Sequence, residues 1–196
     1  MSDATLPLFP LRTVLFPGGE IRLRIFEQRY LDLIRTCARQ ARPFGVCLIL
    51  EGSEVGAPAL PAAFGTSARI VDFFTLADGL LGIAVQGEAR FHVRRSAVRD
   101  SGLIVAEVDA LADRSEQVLP QHGLLVELLD RLLGKLPSIH AKAERWRFDC
   151  ADWVGYRLAE LLPITPSERQ ALLQCDCPHE RLDRLIGHIP EFQRLG

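Results

Sequence analysis

The residues of this chain whose types and spacing could do chemistry fall in a few short stretches. Cys175-Asp-Cys-Pro-His179 brings two thiols and an imidazole together, and thiolate and imidazole are zinc ligands. A structural zinc site takes four ligands, and no second Cys/His pair stands at a usual spacing. Cys150 or His188 would have to be recruited from elsewhere. A helix-to-helix turn with incidental cysteines is the preferred reading, and no metal is expected. Gly134-Lys135 is the one Gly-Lys pair. A phosphate-cradling loop requires Gly-x-x-x-x-Gly-Lys-Ser/Thr, and here Leu136 follows. Ser138 lies near Lys135 and Lys142, the only lysines. A lysine activates a serine hydroxyl only when desolvation depresses its pKa, and this polar segment offers no such setting. His140, Glu144 and Asp149 are acid–base residue types, but a solvated segment between helices accounts for them. With no His-Glu-x-x-His and no glycine-rich nucleotide fingerprint, the chain is read as a non-enzyme with no catalytic residue and no cofactor.

A different chemistry is carried by Arg90, His92, Arg94, Arg95 and Arg99, a local basic stretch that could meet phosphates. Against it stand a formal net charge of −2 and the lack of aromatics interleaved on the same strand face, on which single-stranded RNA stacks. A solvated strand face is preferred, and RNA binding through Arg90, His92 and Arg94 is kept as the alternative.

The elements that position these residues follow from composition and period. The 196 residues, 48% hydrophobic and 24% charged, suffice for one or two globular domains. No run approaches the roughly 18 apolar residues that span a bilayer, so no membrane partner is expected, and no secretory signal is visible at the start. Five cysteines, odd in number and irregularly spaced, fit reduced thiols and a cytoplasmic location.

Two short apolar strands punctuated by prolines open the chain, with a turn at Pro17-Gly18. Glu20 to Ile25 alternates strictly, with Ile21, Leu23 and Ile25 on one face. Phe26, Tyr30, Ile34, Cys37 and Ala41 recur at helical spacing, which predicts one amphipathic helix ending at Pro43. Phe44 to Leu50 reads as a buried strand and 52–61 as a loop. Strands over 68–76 and 80–85 flank Asp78-Gly79, a hairpin turn. A further strand over 89–95 puts Phe91 and Val93 inward and Arg90, His92 and Arg94 outward, and 103–111 supplies the last.

Near Asp113 helical periodicity takes over, with Leu125, Leu128, Leu129, Leu132, Leu133 and Leu136 in one stripe. Trp153, Tyr156, Leu158, Leu161 and Leu162 follow. Thr165-Pro-Ser-Glu168 is a capping box with proline at the first helical position. Pro178 opens a last helix carrying Leu182, Leu185, Ile186 and Ile189. The expected architecture is α+β, with a β-rich subdomain over 1–112 and a helical subdomain over 113–196.

Several of these segments resemble one family in their residues and order. They are the opening Leu6-Pro-Leu-Phe-Pro-Leu with Val14-Leu-Phe-Pro-Gly18 and Ile25-Phe-Glu-Gln-Arg-Tyr-Leu31; Gly65-Thr66; Leu76-Ala-Asp-Gly79; Gly87-Glu-Ala-Arg-Phe91; and Ser167-Glu-Arg-Gln-Ala-Leu-Leu-Gln174 with Arg181-Leu182. Together they are similar to the N-terminal substrate-binding domain of Lon proteases. The resemblance implies a PUA-like β-pseudobarrel with one helix, followed by a C-terminal helical bundle. It also implies recognition of polypeptide without the Lon motor or peptidase. Most matching residues have structural explanations, since the prolines and glycines set backbone angles and Phe9, Leu11 and Phe91 fill the barrel.

The leading expectation is therefore a non-catalytic polypeptide-recognition module that binds unfolded or client segments through an apolar groove or exposed sheet edge. A Lon-type protease is a further expected partner. The outer helix face (Gln28, Asp32, Arg35 and Arg39), the 52–61 loop and the groove between the two subdomains are the candidate surfaces.

Overall fold

The computed structural model describes residues 4–136 and 144–192, the last four by backbone alone. The chain divides into two compact units, 1–112 and 113–196.

The first unit holds β1 (Ala4–Leu11), β2 (Glu20–Ile25), α1 (Gln28–Gln40), β3 (Phe44–Glu51), β4 (Leu60–Thr75), β5 (Leu81–Val98) and β6 (Ile104–Leu111). They form one mixed six-stranded sheet in the order β2-β5-β4-β3-β1-β6, and an added β5–β6 pairing closes five of the strands into a ring. Instead of two short strands, the proline-rich opening makes the single strand β1. Ala4 to Leu8 pairs with β6 and Leu8 to Leu11 with β3. Pro7 and Pro10 therefore each stand where only one edge of β1 is paired, the position that tolerates a missing N–H. Val14, Leu15 and Phe16 are buried without forming a strand.

The ring and α1 share the hydrophobic content between two clusters. Leu8, Cys47, Phe91, Ile104, Ala106 and Val108 fill one. Phe9, Ile25, Tyr30, Ile34, Phe44 and Ile83 belong to the other, together with Cys37 on α1. Adjacent residues of β1 and β3 go to opposite clusters, which is why Phe44 to Leu48 is buried without alternation. The Phe9 and Tyr30 rings stack at 4.1 Å. At the end of α1, Ala41 adopts a left-handed conformation (φ 49°) and donates to the Cys37 carbonyl, a cap that precedes Pro43. Phe26, expected on the apolar helix face, precedes the first turn and is 47% exposed. Ala41, expected there too, is exposed.

The Asp78-Gly79 turn forms, with Gly79 at φ 81°, a conformation open to glycine. Its strands are longer than periodicity indicated. The stretches 80–85 and 89–95, read as separate strands, fall, apart from Leu80, within the 18-residue β5. One edge of β5 pairs with β2 up to Gln86 and with β6 from Arg90 onward. Between these segments β5 bulges: Ala68 opposes Gly87 and Thr66 opposes Arg90. The bulge breaks the two-residue alternation, so Arg90 and Phe91 are both 2% exposed. Arg90 is thus buried, contrary to the outward position that alternation assigns it.

In the second unit, the 116–118 segment bridges to 149–151 through Val118 N–H to Asp149 O, Ala151 N–H to Glu116 O and the Gln117/Cys150 bridge. The helices described there are α2 (Gly123–Gly134), α3 (Ala151–Leu161), α4 (Pro166–Gln174) and α5 (Pro178–Phe192). α2 buries Leu125, Leu129 and Leu133; Leu136, expected in the same stripe, is exposed. α3 packs against α2, α4 and α5, and eight of its residues are buried. The Thr165/Glu168 capping box forms: the Thr165 N–H donates to Glu168 Oε2 at 2.6 Å and the Glu168 N–H to Thr165 Oγ1 at 3.2 Å.

Arg181 is fully buried and donates to Asp152 Oδ1 at 2.9 Å, to the Leu172 carbonyl at 3.1 Å and to the Cys175 carbonyl. Its guanidinium lies 4.3 Å from the Tyr156 ring centroid, and the Tyr156 hydroxyl donates to Asp113 at 2.6 Å.

Candidate functional site

The stretches whose residue types could do chemistry and that fall among the described residues are placed as follows. The 175–177 segment is the turn between α4 and α5; the Cys175 thiol donates to the Cys177 carbonyl at 3.3 Å. His179 is turned to Glu116, with Nε2 2.9 Å from Oε2. Among the described residues, no group of three His, Cys, Asp or Glu side chains converges as a metal site would require. Ser138, His140 and Lys142 lie outside the described residues.

Of the basic stretch, Arg90 is buried. The His92 ring lies 4.7 Å from that of Phe64. Arg94 faces Asp109 on β6 at 3.4 Å and Arg95 faces Glu107 at 2.9 Å. The strand pairing sets acidic residues of β6 beside these arginines, so no unbroken basic face forms.

Gln28, Asp32, Arg35 and Arg39 are exposed on α1. Gln28 Nε2 and Arg35 Nη1 both donate to Asp32 Oδ1 at 3.0 Å, joining three of them. Asp32 also lines a groove of about 550 Å³ with Leu6, Pro7, Leu33, Cys37 and Leu103. Burial pushes the Cys37 thiol up.

A second groove, about 360 Å³, runs beside β2. Its walls include Phe9, Leu11, Leu23, Phe26, Tyr30 and Val55. Phe26 and Val55 are 47% and 51% exposed, apolar surface that folding has left in water. Strand β2 supplies residues 21–24 to the lining. It pairs with β5 on one side only, and among the described residues the other edge of 21–24 has no strand partner. Along such an edge alternate backbone N–H and C=O groups are left without a ladder partner.

Charges stand at the Tyr30 end. Arg29 reaches Glu27 Oε2 at 2.9 Å and the Gly102 carbonyl at 3.2 Å. Glu54 accepts the Arg12 backbone N–H at 2.6 Å. Burial pushes the Tyr30 hydroxyl above its ordinary value; Arg29 opposes this, and Glu27 and Glu54 reinforce it. The sequence pattern marked Tyr30 as core and Phe26 as its helical neighbour. It held no sign that Glu27, Glu54 and a strand edge meet beside them, since that depends on how β2 pairs with β5.

These features define an α+β protein with a mixed six-stranded sheet, grooves with apolar lining and, among the described residues, a β2 edge without a strand partner. Residues 5–191 match the family of the ATP-dependent protease La (LON) substrate-binding domain, and the chain belongs to that family. It is 32% identical over 193 residues to the Lon protease of Cytophaga hutchinsonii, covering 93% of this chain and 24% of that protein. With the Lon protease of Anaeromyxobacter dehalogenans it shares 36% identity over 115 residues, 57% of this chain and 13% of that protein. The chain thus spans a quarter or less of these relatives' length. A crystallographic Lon N-terminal domain protein from Xanthomonas campestris matches with a TM-score of 0.80 and 48% identity, covering 94% of this chain and 98% of that one.

Proposed function

We propose that this protein is a non-catalytic polypeptide-recognition module that binds unfolded or client protein segments. The observation that carries this reading is the groove beside β2, where exposed Phe26 and Val55 adjoin an unpaired strand edge. An extended chain gains main-chain hydrogen bonds along such an edge and buries side chains in the adjoining groove. A folded protein, most of whose backbone groups are already paired, offers far less of either. Family membership supports the same reading. The exposed α1 face (Gln28, Asp32, Arg35, Arg39) is proposed as an accessory contact, and a Lon-type protease as a partner. The ring of strands over 1–112 fits a PUA-like pseudobarrel, and 113–196 is taken as the helical subdomain.

RNA binding is the weaker reading. Its basic residues include the buried Arg90 and arginines already paired with Asp109 and Glu107.

The test is binding of the purified protein to one fluorescent model protein in folded and permanently unfolded forms, without ATP, with RNA titrated in parallel. Preference for the unfolded form without cleavage supports the proposal. Equal binding of both forms, or none, overturns it, and tight salt-sensitive RNA binding promotes the alternative.

A further inference from the structure

The groove beside β2 is chemically uneven. At the Tyr30 end, Glu27 Oε1 is enclosed and has no hydrogen-bond partner among the described residues, although Oε2 of the same carboxylate pairs with Arg29. Tyr30 is 7% exposed, lines the groove, and carries a hydroxyl with no hydrogen-bond partner among the described residues. Glu54 accepts only a backbone N–H. The arginines of β2 also line the groove but have partners of their own. Arg24 pairs with Asp78 at 2.7 Å with its guanidinium 5.9 Å from the Phe26 ring centroid, and the Arg22 guanidinium lies 5.3 Å from the Phe74 ring centroid. Two carboxylates and a hydroxyl thus lie near Arg29, which pairs with Glu27 and the Gly102 carbonyl while its Nε has no hydrogen-bond partner among the described residues. Beside this acidic end stand the exposed apolar side chains of Phe26 and Val55.

Spare acceptor capacity on Glu27, Glu54 and the Tyr30 hydroxyl, next to apolar surface and a strand edge, describes a complementary ligand. We infer that the groove takes an extended polypeptide segment, added as a strand along β2, with a lysine or arginine two residues from an apolar side chain. Residues two apart on a strand share a face. One such pair therefore sends its cation toward Glu27, Glu54 and the Tyr30 hydroxyl and its apolar side chain onto Phe26 and Val55. A charge-assisted bond to an enclosed carboxylate oxygen is stronger than its neutral counterpart. This inference rests on the polypeptide-recognition reading and adds the chemistry of the segment.

The test uses the full chain and fluorescent ten-residue peptides built on alternating threonine and serine, carrying one central Lys-x-Phe. Companion peptides carry Glu-x-Phe, Lys-x-Ser, or the Lys-x-Phe core with prolines flanking it. At low salt the Lys-x-Phe peptide is expected to bind roughly tenfold or more tightly than each companion. Glu54→Gln and Tyr30→Phe, which retains the ring stacked on Phe9, are each expected to weaken the lysine-bearing peptides and not to weaken the Glu-x-Phe peptide. Amide exchange over residues 21–24 is expected to slow on binding.

Equal affinity for Lys-x-Phe and Glu-x-Phe, or preference for the acidic peptide, overturns the inference. If unfolded protein still binds in that case, the broader reading stands. Binding of neither peptides nor unfolded protein ends both. Concentration-dependent dimerisation that protects residues 21–24 without peptide would assign the edge to a second copy and also overturn the inference.

Discussion

A Cβ atom on Gly87 would stand 2.3 Å from the carbonyl oxygen of Phe16. The two segments are locked face to face: the Gly18 N–H donates to the Gly87 carbonyl and the Gly87 N–H to the Gly19 carbonyl, both at 2.8 Å. This clasp holds the turn before β2 against the point where β5 passes from β2 to β6, and so sets where the β2 edge lies. Gly87→Ala must push the backbone segments apart. It is expected to cost about 1–3 kcal/mol, read as a lowered urea midpoint with an unchanged slope, and to weaken polypeptide binding by displacing β2.

The Arg181–Asp152 pair predicts a non-additive result. Removing one member strands a buried charge, so Arg181→Met alone and Asp152→Leu alone are each expected to cost roughly 3–5 kcal/mol. The double substitution should cost less than the sum of the two. A double-mutant cycle in urea measures the difference; simple additivity would mean that the guanidinium is held by the Leu172 and Cys175 carbonyls rather than by the carboxylate.

The helix cap at Thr165 gives a pH dependence with a definite sign. Hydrogen bonds from the Thr165 hydroxyl and backbone N–H hold the Glu168 carboxyl below its ordinary value, aided by desolvation-opposing attraction from His188. A lowered folded-state pKa adds stability above the unfolded-state value, lost as pH falls through the folded-state value. Glu168→Ala is therefore expected to be less stable than the parent at neutral pH. The gap should narrow as the solution is acidified below the usual carboxylate range, as thermal melts across pH would record.

Thiol reactivity separates the cysteines. Burial pushes the Cys47 thiol up to about 12 and raises Cys37 as well, so neither offers appreciable thiolate at neutral pH. Cys150 and Cys177 are only half-buried. Brief iodoacetamide treatment of the native protein, followed by peptide mass spectrometry, should label Cys150 and Cys177 well before Cys37 and Cys47. Early labelling of Cys47 would show that the strand ring opens in solution.

What the sequence determined by itself was whatever a short stretch of chain decides. The alternation of residues 20–25, the helical spacing of Tyr30, Ile34 and Cys37, the Asp78-Gly79 turn and the Thr165/Glu168 cap are all local, and each formed. The ordered motifs also sufficed for the family. Tertiary structure alone decided the features that need distant segments to meet. Arg90 is buried because a bulge shifts β5 against β4 and β6 joins it there, which alternation within one strand does not encode. Arg94 and Arg95 lose their basic face because Asp109 and Glu107 arrive on another strand. The candidate groove exists because β5 pairs with only one edge of β2, leaving the other beside Glu27, Tyr30 and Glu54. A residue's period fixes which face it takes; only the strand partners fix which edge and which charges remain unmatched.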